Sequence, residues 1–179
     1  MHAPDLTQPT AGPDQHRKDA MTHSFESTLQ AFPAVAPSSA LAWEAVVQVS
    51  PRQDLGMSPA GERFMIPIVG GQFAGNIDGH VLRGRVLPGG ADRQLLRPDG
   101  VKELDALYEM QHEDGTVLTI HNRVTIDAPA TGPRYAFSHV RVLAPEGPHA
   151  WLNRRVFVGT LQGLPAEQQS VLIRVWMLR

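Results

Sequence analysis

From Ala40 onward, apolar and polar residues alternate with a period of two. Leu41, Trp43, Ala45, Val47 and Val49 fall on one side and Glu44, Gln48 and Ser50 on the other, the pattern of a strand with one buried face. Phe64, Ile66 and Ile68 make a second run, and residues 81–87 a third, interrupted by Gly84. In a fourth, Leu104, Ala106, Tyr108 and Met110 oppose Glu103, Asp105, Leu107 and Glu109. Further strands are expected over residues 116–126, 135–144, 151–161 and 171–178. Turn chemistry separates the runs, at Gly70-Gly71, Asp78-Gly79, Gly89-Gly90, Asp99-Gly100 and Asp114-Gly115. Asp114-Gly115 reads as the best type I′ hairpin, a turn that needs positive φ at both central residues. No stretch keeps a 3.6-residue period over three turns, so little helix is expected.

The expected fold class is all-β, an antiparallel β-barrel of calycin-like kind. A barrel is preferred to a sandwich because Gly71, Gly75, Gly79 and Gly84 lie within or beside strands, where closure demands sharp bends. Closure also removes exposed strand edges. Residues 1–39 differ in character. Their apolar residues follow no period, and Pro4, Pro9, Pro13, Pro33 and Pro37 forbid a long regular element. They are expected to form a loosely ordered arm, with a short helical turn near residues 25–32, ahead of a single barrel domain over residues 40–179.

Composition narrows the function classes. The 179 residues suit one domain. The chain has no cysteine, which excludes disulfides, thiolate nucleophiles and cysteine-ligated zinc or iron–sulfur centres. With 16 basic and 18 acidic residues and no basic stripe, nucleic-acid binding is not expected. No apolar run approaches the ~18–20 residues that cross a bilayer, so no membrane partner is expected. The first twenty residues lack the apolar stretch of a secretory leader, and the expected location is the cytoplasm.

The eight histidines show no HExxH spacing. His112 and His121 flank the Asp114-Gly115 hairpin, but parity places them on opposite faces, so no metal site is expected. The Gly-rich segment at residues 70–75 lacks the Lys-Ser/Thr of a phosphate loop, and GxSxG is absent. No cofactor is expected.

The stretch GERFMIPIVGGQFAGNIDGHVLRGRVLPGGADRQLLRPDG, beginning at Gly61, resembles the family known as domain of unknown function 3237, or UPF0311. ELDALYEMQHEDGTVLTIHNR and HAWLNRRVFVG resemble that family's later blocks, in the same order. The resemblance covers residues 40–179. It implies a small antiparallel barrel with an internal cavity, often found as an oligomer, so a homodimer or higher homo-oligomer is expected. It implies no general reaction, metal or cofactor. Arg93 stands where the family is commonly aromatic, and Asn76 where proline is common. If both line the cavity mouth, the ligand is more polar than those of the relatives.

Candidate chemistry sits where a polar residue interrupts an apolar strand face, because burying one unpaired costs ~1–3 kcal/mol. Asn122 shares a face with Leu118, Ile120, Val124 and Ile126, and Tyr108 with Leu104, Ala106 and Met110. The bland reading of both is a hydrogen-bonded core residue. Asp92 follows two glycines at the start of a strand. It is a candidate general base if burial raises its pKa. A structural pair with Arg63 or Arg97 is its competing role. Arg63, Arg97, Trp151 and Asn153 complete the set as ligand contacts: forked donors, a flat apolar face and an amide. Core packing is the alternative for Trp151.

The expected function is a cofactor-independent enzyme that moves a proton on a small apolar or aromatic metabolite. Asp92, Tyr108 and Asn122 would be catalytic. The alternative is a non-catalytic carrier of such a molecule.

Overall fold

The computed structural model describes residues 25–179, and the chain divides between Pro37 and Ser38. In the first unit, residues 25–31 form one helix, within the stretch where a helical turn was expected. Its Phe25 and Leu29 side chains and the following Phe32 are exposed.

The second unit is built of ten strands: β1 (Ser39–Val49), β2 (Gln53–Ser58), β3 (Gly61–Ile77), β4 (His80–Val86), β5 (Ala91–Leu96), β6 (Lys102–His112), β7 (Val117–Asp127), β8 (Tyr135–Leu143), β9 (Phe157–Gly163) and β10 (Ser170–Leu178). All neighbours are antiparallel. With 17 residues, β3 is long enough to serve two strands on each side. β2 and β1 lie end to end along one edge of it, and β5 and β4 along the other. The circuit then runs through β6, β7, β8, β9 and β10 back to β1, so ten strands fill eight positions of a closed barrel.

Several local readings change. Gly70-Gly71 is not a turn but lies inside β3, where one edge of that strand pairs with β1 and the other passes from pairing with β5 to pairing with β4. Leu41 is 43% exposed although it shares parity with Trp43, because the β1–β10 register shifts between them and Ala42 turns inward instead. Residues 150–154 form a 3₁₀ turn rather than the start of a strand, which begins only at Phe157. The type I′ hairpin is at Asp78-Gly79, with φ of 52° and 81°. At Asp114-Gly115 only the glycine has positive φ. There the Gly115 N–H donates to the His112 carbonyl and the His112 N–H to the Thr116 carbonyl, a type I turn followed by a left-handed glycine.

Inward-facing residues form layers across the strands. At one end Trp43, Phe73, Leu82, Met110, Leu118 and Leu152 fill the interior and leave no room for a water molecule. Trp43 tilts against Phe157 with ring centroids 5.3 Å apart, and both are buried. Trp43→Ala is expected to lower stability by about 3–5 kcal/mol, read as a shifted denaturant midpoint. A loss below about 1 kcal/mol would mean that this end is not the packed base of the barrel.

Candidate functional site

The opposite half of the barrel is not filled. There a cavity of about 300 Å³ is lined by Val47, Val49, Ile68, Leu104, Val124, Leu161, Ile173 and other aliphatic side chains. Polar groups enter it from Asp92, Gln94, Lys102, Tyr108, Asn122 and Arg134. Larger depressions on the outer wall are open clefts lined by solvated residues such as Arg83, Glu113 and Arg123.

Strand register places these polar groups. On β6 the inward residues descend from Lys102 through Leu104, Ala106 and Tyr108 to the packed layer at Met110. One cross-strand row holds the chemistry: Asp92 on β5 pairs with Ala106 on β6, which pairs with Asn122 on β7. Two strand spacings, roughly 10 Å, separate the Asp92 and Asn122 backbones, with only the methyl of Ala106 between them. The next row towards the mouth runs Gln94, Leu104, Val124, and the next one inward Tyr108, Ile120. Acid, small residue and amide thus face one space, floored by a phenol.

The electrostatics of the row are unusual for a barrel interior. Asp92 is raised from 3.8 to about 6, chiefly by burial, against the lowering effect of the Gln94 amide and the positive charge of Lys102. Gln94 Nε2 donates to Asp92 Oδ2 at 2.5 Å. The other Asp92 oxygen, Oδ1, has no hydrogen-bond partner, and neither have Gln94 Oε1 and Asn122 Oδ1. Three buried acceptors lining one cavity thus lack protein donors, and buried polar groups are ordinarily satisfied. Burial also holds the Tyr108 hydroxyl well above its usual range, so the phenol stays protonated and able to donate. Lys102 is lowered, first by burial.

The structure therefore brings together Asp92, Tyr108 and Asn122, and not the four residues expected to contact a ligand with them. Arg63 lies on the exposed outer face of β3. Arg97 is bound outside the barrel by Asp99 and, at 3.1 Å, Glu103. Trp151 stacks on His80, with centroids 4.6 Å apart, beside the 3₁₀ turn. Asn153 Oδ1 accepts the Ala144 N–H at 2.9 Å, while its Nδ2 donates to the carbonyls of Ala144 and Ala150. It clamps that turn to the chain leaving β8. Neither Arg93, exposed on β5, nor Asn76, at the far end of β3, lines the cavity. Asp92 pairs with neither Arg63 nor Arg97.

Sequence reasoning missed Gln94, Lys102 and Arg134. Gln94 and Lys102 carry a readable signal, since Lys102 continues the inward parity of Leu104 to Met110 and Gln94 that of Asp92. Arg134, in the connection before β8, carries none.

A second group lies near the β6–β7 hairpin. His112, Asp114 and His149 present ligating atoms within 4.8 Å of one another, the one such group among the described residues. His149 Nε2 is 2.9 Å from Asp114 Oδ2, and His112 Nδ1 is 3.0 Å from Asp114 Oδ1. The Thr116 N–H donates to Asp114 Oδ1 and, as the largest influence, holds that carboxyl well below the usual range. These contacts tie the hairpin to the 3₁₀ turn, while His112 Nδ1 also accepts the Asp114 N–H and its Nε2 lies 3.2 Å from the Val81 carbonyl. His121 sits apart, paired with Asp105 at 2.5 Å on the outer wall.

The fold and this interior define a closed antiparallel barrel with one end packed and the other holding a polar-based cavity. The chain belongs to the family described as Protein of unknown function (DUF3237), whose model matches residues 37–178. A UPF0311 protein of Clostridium acetobutylicum is 31% identical over 131 residues, covering 66% of this chain and 78% of that protein. Among solved structures, a conserved protein of unknown function from Rhodopseudomonas palustris superposes with a TM-score of 0.72 at 25% identity, over 82% of this chain and all of that one. An enzyme from Penicillium herquei superposes with a TM-score of 0.64 at 21% identity, over 82% of this chain and 97% of that one. At that identity the likeness is one of fold. No helix among the described residues is long and apolar enough to cross a membrane.

Proposed function

We propose that the barrel binds a small apolar or aromatic metabolite and moves a proton on it without a cofactor. The observation that carries this reading is the row Asp92–Ala106–Asn122, in which a buried carboxyl raised to about 6 and an amide whose oxygen has no partner flank a one-methyl gap over a cavity. Asp92 takes a proton from one carbon of the ligand and returns it to another. The Asn122 amide and the Tyr108 hydroxyl donate to the oxyanion that develops in between. The aliphatic walls hold the body of the ligand and exclude water. Aliphatic lining also suits the second reading, a carrier that holds the same compound unchanged.

The test is untargeted mass spectrometry of a metabolite extract incubated with wild-type protein and with Asp92→Asn. The enzyme reading expects one compound to fall and an isomer or elimination product to rise with wild type alone. A compound retained by both proteins and left unchanged would replace it with the carrier.

A further inference from the structure

We propose that the ligand of this cavity is an organic anion, an apolar body bearing one carboxylate that Lys102 and Arg134 hold at the mouth. The inference rests on the reading of the barrel as a ligand-binding site and names the class of ligand it takes.

The argument is one of charge left over. Lys102 is half-buried, points inward from the end of β6, and makes neither a salt bridge nor a hydrogen bond. Its ammonium lies 6.0 Å over the ring of Phe64. A second cation lies near the same ring, since the Arg52 guanidinium is 4.1 Å from the Phe64 centroid and repels Lys102. Arg134 lines the cavity too, and its guanidinium donates to the Leu161 carbonyl at 3.0 Å with no carboxylate in reach. On the outer wall several basic groups find acids, Arg97 with Glu103, Arg174 with Glu44, Arg123 with Asp105 and Arg83 with Glu113, and the others are solvated, whereas Lys102 is half-buried.

Against these cations, Asp92 is the one carboxylate among the described lining residues, and it stands two residues deeper than Gln94. The mouth thus keeps a surplus of positive charge, with Arg134 at its exposed rim and Lys102 in a partly desolvated place, where a cation without a counter-charge is costly. A ligand carboxylate supplies the missing charge. Lys102 and Ala106 are four residues apart on β6, about 13 Å of strand, and the lysine side chain shortens that span. A carboxylate at the mouth therefore places a bicyclic or similar apolar body between Asp92 and Asn122. The oppositely charged Lys102 also keeps Asp92 available as the base beside a bound anion.

Calorimetric titration of the full chain with 2-naphthylacetate and with the isosteric amide, 2-naphthylacetamide, tests the class. Wild-type protein is expected to bind the acid about tenfold or more tightly than the amide, as charge-assisted contacts exceed neutral ones. Lys102→Gln is expected to abolish that preference and Lys102→Arg to restore it, while amide binding stays unchanged. Asp92→Asn keeps the preference. Equal affinity for acid and amide would overturn the anion proposal and leave the ligand-binding reading standing. Absence of binding by either compound at millimolar concentration would overturn the proposal, while the metabolite screen judges the catalytic reading separately. Selective acid binding by a protein that turns over nothing would uphold the anion site and select the carrier.

Discussion

Asp92→Asn is expected to remove turnover and, above about pH 6, to make the protein more stable. Both effects come from the same buried carboxyl. Its pKa is about 6 in the folded chain against 3.8 when exposed, with burial the main cause. Below about pH 4 the group is protonated in both states and contributes no difference. Between about pH 4 and 6 the folded state binds the extra proton, so stability falls as pH rises through that window. Two units of pKa correspond to roughly 3 kcal/mol of stability absent at neutral pH. Asparagine keeps the shape and an acceptor for Gln94 but carries no charge to desolvate. Thermal melts should therefore show the variant several degrees above wild type near about pH 8 and level with it near about pH 4. Turnover runs the other way. A general base works ionised, so wild-type kcat/KM should rise through about pH 6 and flatten, whereas the variant should lose about 10²–10⁴-fold and that pH break. A variant that is no more stable at high pH, or that keeps the break, would remove Asp92 from both roles.

How much of this was legible in the chain depends on parity. Leu104, Ala106, Tyr108 and Met110 share one face in the sequence and one interior in the structure, because a strand without bulges preserves its period of two. That placed Tyr108 and Asn122 correctly on the inside. Parity failed where register shifts. The irregularity between Leu41 and Trp43 sends Leu41 outward, and no residue pattern marks it. It also failed where an apolar run is not a strand. Trp151 and Asn153 look like a strand start but belong to a 3₁₀ turn, so neither reaches the cavity. Arginine positions misled for a different reason. Arg97 lies close in sequence to Asp92 but, like Arg63 on β3, faces the outer wall, whereas Lys102 reaches it across the β5–β6 pairing. Long-range convergence of this kind, like that of His149 on Asp114 35 residues away, is set by topology and leaves no local trace.

The division of the barrel into a packed end and a hollow end gives the proposed activity its setting. Trp43, Phe73 and Leu152 make one half rigid, and the row above them can then tolerate acceptors without donors. Asp92, Gln94 and Asn122 all weaken the folded state as they stand. Retaining three such groups in one cavity is the pattern of a site whose polar demand is met by something that binds.

Ala106→Leu should separate ligand binding from folding more sharply than any change to a polar residue. Ala106 is 7% exposed and sits between Asp92 and Asn122 in the row, so its side chain sets the width of the gap they flank. Enlarging a methyl to an isobutyl side chain in a packed interior costs about 1–3 kcal/mol through strain, but here the new atoms enter a cavity of about 300 Å³. The added apolar surface is buried on the ligand's side of the wall. Stability is therefore expected to stay within about 1 kcal/mol of wild type, in urea or heat. Ligand affinity and turnover are expected to fall about 100-fold or more, because the body of the ligand and the leucine claim the same space. The same change two rows down, at Met110 in the filled half, would alter stability and leave binding alone. If Ala106→Leu binds 2-naphthylacetate as wild type does, the ligand lies outside the barrel, and the row of Asp92 and Asn122 loses its functional reading.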